Sequence, residues 1–276
     1  MGKRIAFGTL MVVALAALLL WDHHLTLAGM VGWPLAGLAA VLIAGGYVEY
    51  ARLAIAVDLP AIPLVGVPAS IALALLPVWT QPVTWPGGDV ALLVLAAAVV
   101  ATFLTQMAAF RLETAARRIA GTLGGVLYLG ALAGGLLAVR VRFGVPALVW
   151  VLVVVKGMDI GAYFTGTAIG RHKIIPWLSP GKSWEGLAGG LILTAIVAAA
   201  LNRVLGLDLA IPAAVVAGLV LGVVGQVGDL CESLLKRDAG RKDSAALIPA
   251  FGGVLDLVDS PLVAAPVGYV LLAVLS

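Results

Sequence analysis

The sequence predicts an all-α, polytopic integral membrane protein with about nine transmembrane helices. Its mean hydropathy is +1.13 and 62% of its residues are apolar. Only 11% are charged, where a soluble domain of this size carries about 25%. The apolar residues fall into runs near the length that crosses a bilayer, about 20 helical residues with a range of about 17–25.

The runs lie at 5–21, 31–50, 62–79, 90–107, 119–139, 146–168, 186–205, 211–228 and 261–275. Loops between them are mostly short, so residues 1–276 are expected to form a single membrane domain. Residues 1–110 supply N-terminal helices, and 111–276 carry the polar segments. The first run follows Lys3 and Arg4, as a secretory signal would. It is long for such a signal, and Trp21-Asp22-His23-His24 follows without a small-x-small site, so it reads as a retained helix. Met1-Gly2 does not start a myristoylation signal, because position 6 is Ala6.

Basic residues set the expected orientation. With the N-terminus inside, 13 of the 17 Lys and Arg residues face the cytoplasm, 3 face outward and Lys156 lies within a span. Segments 169–185 and 229–260, read as the two most polar loops, then share the cytoplasmic face of a plasma or bacterial inner membrane. The net charge of +3 reflects this topology and contact with anionic membrane lipid. No nucleic-acid patch is present. The single Cys231 excludes a disulfide framework and reads as a small buried residue rather than a nucleophile.

Ser233 to Asp259 stands out. It gathers Lys236, Arg237, Arg241 and Lys242 with Asp238, Asp243, Asp256 and Asp259, beside Pro249 and Gly252-Gly253. Charges near lipid are costly and mark function by default. Cations beside spaced carboxylates suit a polyphosphate and its metal. The ordinary alternative is a solvated charged loop, against which Pro249 and the Gly pair suggest a shaped backbone. Upstream, Asp229 shares a helix face with Glu232 and with Ser233.

Two further elements are polar. Asp159 lies roughly 13 Å from the cytoplasmic end of its span, three residues after Lys156. The two could simply neutralise each other, or line a functional cavity; Gly157, Gly161, Gly166 and Gly170 allow close approach there. Ser179-Pro180-Gly181 is a turn that presents Lys182 and Ser183 at a helix start, either an anion site or an ordinary basic interfacial loop. Gly181-Lys182-Ser183 is not a P-loop, since Pro176 stands where the first Gly is required.

With these residues in view, the chain resembles the phosphatidate cytidylyltransferases, or CDP-diacylglycerol synthases. Their signature runs Ser-x-x-Lys-Arg, Lys-Asp, apolar-Pro, His-Gly-Gly and Asp-Arg-x-Asp. Ser233, Lys236, Arg237, Lys242, Asp243, Ile248, Pro249, Gly252, Gly253, Asp256 and Asp259 fall in register with it. The resemblance extends to Asp159–Phe164, Ser179–Gly186 and Gly228-Asp229, about the C-terminal half. Phe251 and Leu257 replace the family's His and Arg, with Arg241 the nearest cation to compensate.

The resemblance implies a nucleotidyltransferase that makes CDP-diacylglycerol and pyrophosphate from CTP and phosphatidate. It implies Mg²⁺, with a second cation as an option, on Asp229, Asp243, Asp256 and Asp259. It assigns catalysis to Asp159, Lys182, Asp229, Lys236, Arg237, Lys242 and Asp243. Substrate would be held by Ser179, Lys182, Ser183, Ser233, Lys236, Arg237, Arg241, Lys242, Gly252 and Gly253. A homodimer is implied by the resemblance alone. The competing readings are a transporter, which the intramembrane Lys156–Asp159 pair would suit, and an inactive homologue.

Overall fold

The computed structural model describes residues 2–26, 30–79, 87–109, 113–245 and 252–275, with side chains from Gly8 onward except at 87–89. The apolar runs become helices because lipid offers no partner to a backbone N–H or C=O. In order they are α1 (Gly2–Thr26), α2 (Trp33–Ala56), α3 (Pro63–Trp79), α4 (Gly87–Ala108) and α5 (Ala115–Gly125). A π-helical turn at Val126–Ala131 leads from α5 into α6 (Leu132–Ile169). Then come α7 (Trp184–Val204), α8 (Ile211–Asp238) and α9 (Leu255–Leu275). Proline in the first turn of α2 and α8 sits where no intrahelical N–H is needed.

Seven helices among the described residues are long and apolar enough to cross a membrane, against the nine expected. Two things account for the difference. Helix α3 has 17 residues, and 115–169 is one run of 55 residues. Drawn straight, that run would measure roughly 82 Å, far beyond a hydrocarbon core of about 30 Å. It breaks at Gly144, where φ is 84° and ψ is 179°, two residues before Pro146. A β-carbon is strained in that conformation, so glycine carries the break.

A second expectation is corrected. Residues 229–238 are not loop but the last turns of α8, and 255–260 are the first turns of α9. Their charges recur every three or four residues, so they share one helix face and need no break in the backbone.

Helix α6 is the centre of the bundle. Trp150, Val151, Val154, Val155 and Met158 are fully buried, in contact with residues of α8 and α9. Trp150 Nε1 donates to the Ala198 carbonyl of α7 at 3.0 Å. Helices α6 and α7 approach closely at Gly161, where an added β-carbon would lie 2.9 Å from the Gly189 oxygen. At the other end of the bundle, α1 is bonded to α6. Buried Arg140 donates to the buried carboxylate of Asp22 and to Thr26 Oγ1 at 2.5 Å. This ion pair ties α1 to α6.

Candidate active site

Helix α8 emerges from the apolar core with Gln226, Asp229, Glu232 and Lys236 along one face, at spacings of three and four residues. The first turns of α9 set Asp256, Asp259 and Ser260 against that face. Helix α6 adds Lys156 and Asp159. The 170–183 connection folds over them, its turn closed by Lys182 N donating to Ser179 O at 3.2 Å. Together these elements enclose a cavity of about 340 Å³, lined by Lys156, Asp159, Ser179, Lys182, Ser183, Gln226, Asp229, Asp256, Asp259 and Ser260 among others. Ligand cavities are commonly of this size or larger, about 300–1,000 Å³.

Opposite charges alternate across the cavity. Lys182 Nζ lies 2.7 Å from Asp229 Oδ2 and donates to Gln226 Oε1 at 2.7 Å. Gln226 Nε2 in turn donates to Asp159 Oδ1 at 3.0 Å. Lys156 lies 3.1 Å from Asp159 and 3.8 Å from Asp259. Lys236 bridges Glu232 at 2.5 Å and Asp256 at 2.6 Å. The Lys156–Asp159 pair is self-neutralising, and both residues line the cavity wall.

Three of the acids in these pairs also gather into one group. Carboxylate oxygens of Asp229, Glu232 and Asp259 all lie within 4.8 Å of one another. Glu232 and Asp259 are buried, and Glu232 Oε1 has no hydrogen-bond partner among the described residues. The three acids repel one another; Lys182, Lys236 and Lys156 each meet one of them, and one buried oxygen stays unbonded. The donor set fits a hard divalent cation.

A further layer holds the wall in place. Asp256 Oδ2 accepts from Ser244 N at 3.0 Å, Ser244 Oγ at 2.7 Å and Gly253 N at 2.8 Å. Gly253 is required by contact: a β-carbon there would lie 2.1 Å from Ser244 Oγ and 2.4 Å from Glu49 Oε2. Gly252 has φ 92°, a conformation that favours glycine.

The sequence-selected residues divide accordingly. Asp159, Ser179, Lys182, Ser183, Asp229, Asp256 and Asp259 line the cavity. Ser183 is also the N-cap of α7, accepting from Gly186 N at 3.1 Å, so its hydroxyl is committed to the helix start. Of the four expected metal ligands, Asp229 and Asp259 join the acidic group, in company with Glu232. Asp256 is on the wall but held by Lys236, and Asp243 is exposed. Arg237, Arg241 and Lys242 are exposed, and Arg237 Nε donates to the Leu178 carbonyl at 3.4 Å. Ser233 is half-buried outside the lining residues, and Cys231, expected to be buried, is exposed on α8. Leu257 is half-buried in α9, and Phe251, with Ile248 and Pro249, falls outside the described residues.

Sequence reasoning missed Gln226, Glu49, Ser244 and Tyr128. Gln226 carried a usable signal, an amide three residues before Asp229 in an apolar helix. Tyr128, in the π-helical turn, has a buried hydroxyl with no hydrogen-bond partner among the described residues. Such turns recur at functional sites.

The sequence profile of the cytidylyltransferase family matches residues 2–275. The chain belongs to that family. It is 44% identical over 128 residues to the phosphatidate cytidylyltransferase of Haemophilus influenzae, covering 45% of this chain and 44% of that protein. With the phosphatidate cytidylyltransferase of Bacillus subtilis it shares 39% over 135 residues, 49% of this chain and 50% of the other. With that of Brucella suis it shares 41% over 155 residues, 52% and 54% of the two chains. The chain spans about half the length of the curated relatives it matches. Its resemblance to the family, first drawn from the C-terminal motifs, thus extends along the whole chain.

Proposed function

We propose that the protein is a membrane phosphatidate cytidylyltransferase, converting CTP and phosphatidate to CDP-diacylglycerol and pyrophosphate. The observation that carries this reading is the cavity itself. Lysines already paired with carboxylates, Lys182 with Asp229 and Lys236 with Asp256, stand beside a three-acid group at the end of apolar helices. A metal-bound polyphosphate brings both signs of charge. Its phosphates can take the lysines while the carboxylates turn to the cation, so no buried charge is left alone.

In the reaction, an ionised oxygen of the phosphatidate phosphate attacks the α-phosphorus of CTP. A new P–O bond forms to the lipid phosphate, the α–β bridge bond breaks, and its electron pair leaves with pyrophosphate. The attacking oxygen is already ionised, so no general base is required. Catalysis then rests on positioning and charge neutralisation. Lys182, in the cavity wall, and Lys236, buried and paired with Asp256 of that wall, would hold phosphate oxygens. Gln226 keeps Lys182 directed inward and couples it to Asp159. Asp229, Glu232 and Asp259, with Asp256 once Lys236 turns to phosphate, would hold Mg²⁺, which supplies charge neutralisation at the transferred phosphoryl group. The basic bias of the loops supports a cytoplasmic mouth, with CTP entering from the cytosol and phosphatidate from the inner leaflet.

The test is purified protein with CTP, phosphatidate and Mg²⁺, assayed for pyrophosphate and CDP-lipid. Equal formation of both, abolished by chelation, is expected. No product under saturating conditions would refute the reading and return the transporter or the inactive homologue.

A further inference from the structure

Glu49 is the most unusual residue outside the cavity. It lies in α2, whose other charged residue, Arg52, is exposed, and it is fully buried. No cation among the described residues forms an ion pair with it. Its charge is balanced by hydrogen bonds instead. Oε1 accepts from Val254 N at 2.8 Å. Oε2 accepts from Leu255 N at 2.9 Å and from Ser244 Oγ at 2.9 Å. These partners lie 195 to 206 residues away in sequence.

The arrangement does two things. The first N–H groups of a helix have no internal acceptor, and Glu49 satisfies two of them at the start of α9. Gly253 N, the next upstream, goes to Asp256. Two carboxylates, one from α2 and one from α9 itself, thus fix the turn that carries Asp256 and Asp259. Ser244 joins the two carboxylates: its N–H donates to Asp256 Oδ2, and its hydroxyl, with one proton to give, lies within hydrogen-bond distance of both Glu49 Oε2 and Asp256 Oδ2. Asp256 in turn holds Lys236. A chain of direct contacts runs from Glu49 through Ser244 and Asp256 to Lys236.

We propose that Glu49 is a positioning residue of the transfer site, fixing from α2 the first turn of α9 and the Ser244 loop against Asp256. The inference rests on the phosphatidate cytidylyltransferase reading. A carboxylate is needed for geometric reasons: both oxygens accept, on two sides. A glutamine would turn an NH₂ group toward one of the N–H donors, so it can satisfy one side only. A buried donor left unpaired displaces the turn, and small displacements at reacting groups lower turnover steeply.

Glu49→Gln, Glu49→Asp and Ser244→Ala are compared with the parent for CDP-lipid formation from CTP, phosphatidate micelles and Mg²⁺, and for thermal melting in detergent. Glu49→Gln is expected to lower kcat about tenfold or more, with the KM for CTP within about threefold. Glu49→Asp, which keeps both acceptors, should recover part of the loss. Ser244→Ala should lower kcat severalfold, and little further in the Glu49→Gln background, because the two act through one contact. Should Glu49→Gln not fold, Ser244→Ala decides alone. Parent-like kcat in Glu49→Gln or Ser244→Ala overturns the proposal. So does a Glu49→Gln loss matched by lost folded protein with no rescue by Asp. A parent that makes no product would refute the enzymatic reading instead. The clamp is then read by trypsin cleavage after Lys242, which Glu49→Gln accelerates if the contact holds the loop and leaves unchanged if it does not.

Discussion

Replacing Lys182 with alanine isolates the phosphate-binding half of the site. Its side chain is 14% exposed, and the ammonium lies between Asp229 Oδ2 at 2.7 Å and Gln226, whose Oε1 is at 2.7 Å and carbonyl at 3.2 Å. On the proposed mechanism it exchanges the Asp229 contact for a phosphate oxygen. A hydrogen bond to a charged group contributes about 1.5–3 kcal/mol, so its loss should lower kcat/KM about 10- to 150-fold. The same change leaves Asp229 without its cation, beside Glu232 and Asp259. Removing a positive charge from that group favours metal binding, so the Mg²⁺ concentration for half-maximal rate should stay level or fall. The assay is CDP-lipid formation over a matrix of CTP and Mg²⁺ concentrations. Turnover within about threefold of the parent would refute the role of Lys182. A large loss recovered by raising Mg²⁺ alone would show that Lys182 only supports the acids.

Three further outcomes are expected. Glu232→Gln and Asp259→Asn should each lose nearly all turnover while the protein still melts cooperatively, because each removes a charged oxygen from the three-acid group; activity within threefold for both would make these acids structural. Arg140→Ala should destabilise the fold by about 3–5 kcal/mol, since it strands the buried Asp22 carboxylate, and should do so far more than Arg203→Ala in a thermal melt in detergent; equal effects would dismiss the pair. In a Cys231→Ala background, single cysteines at Ser179 and Asp238 should react with an impermeant thiol reagent only after cells are opened, and labelling of both from outside intact cells would overturn the proposed inward topology.

Much of this arrangement is legible in the sequence, and the gaps have physical causes. Helix positions follow from the lengths of apolar runs, because lipid enforces helices wherever the chain is apolar. The ends of α8 and the start of α9 were lost to that logic. Composition reads Asp229 to Asp238 as loop, while their spacing of three and four keeps them helical. Lys182, Asp229, Asp256 and Asp259 stand out because charge is rare in this chain. Their partners do not. Gln226 is neutral, and Glu49 is a single acid about 200 residues from the groups it binds. Pairings over such distances are fixed by tertiary contact and leave no local pattern. The expected role of Asp243 rested on register with a motif, and the fold leaves its side chain exposed.

The Asp22–Arg140 pair also bears on how the protein is made. The two residues are 118 positions apart, and a ribosome adding roughly 5–20 residues per second needs about 6–24 s to pass from one to the other. During that interval the first helix carries an acid whose partner does not yet exist. The tie between α1 and α6 therefore closes late, after four intervening helices have been synthesised. Biogenesis must shelter α1 until then, and a chain stalled before Arg140 would present an unpaired carboxylate to whatever machinery inspects unassembled helices.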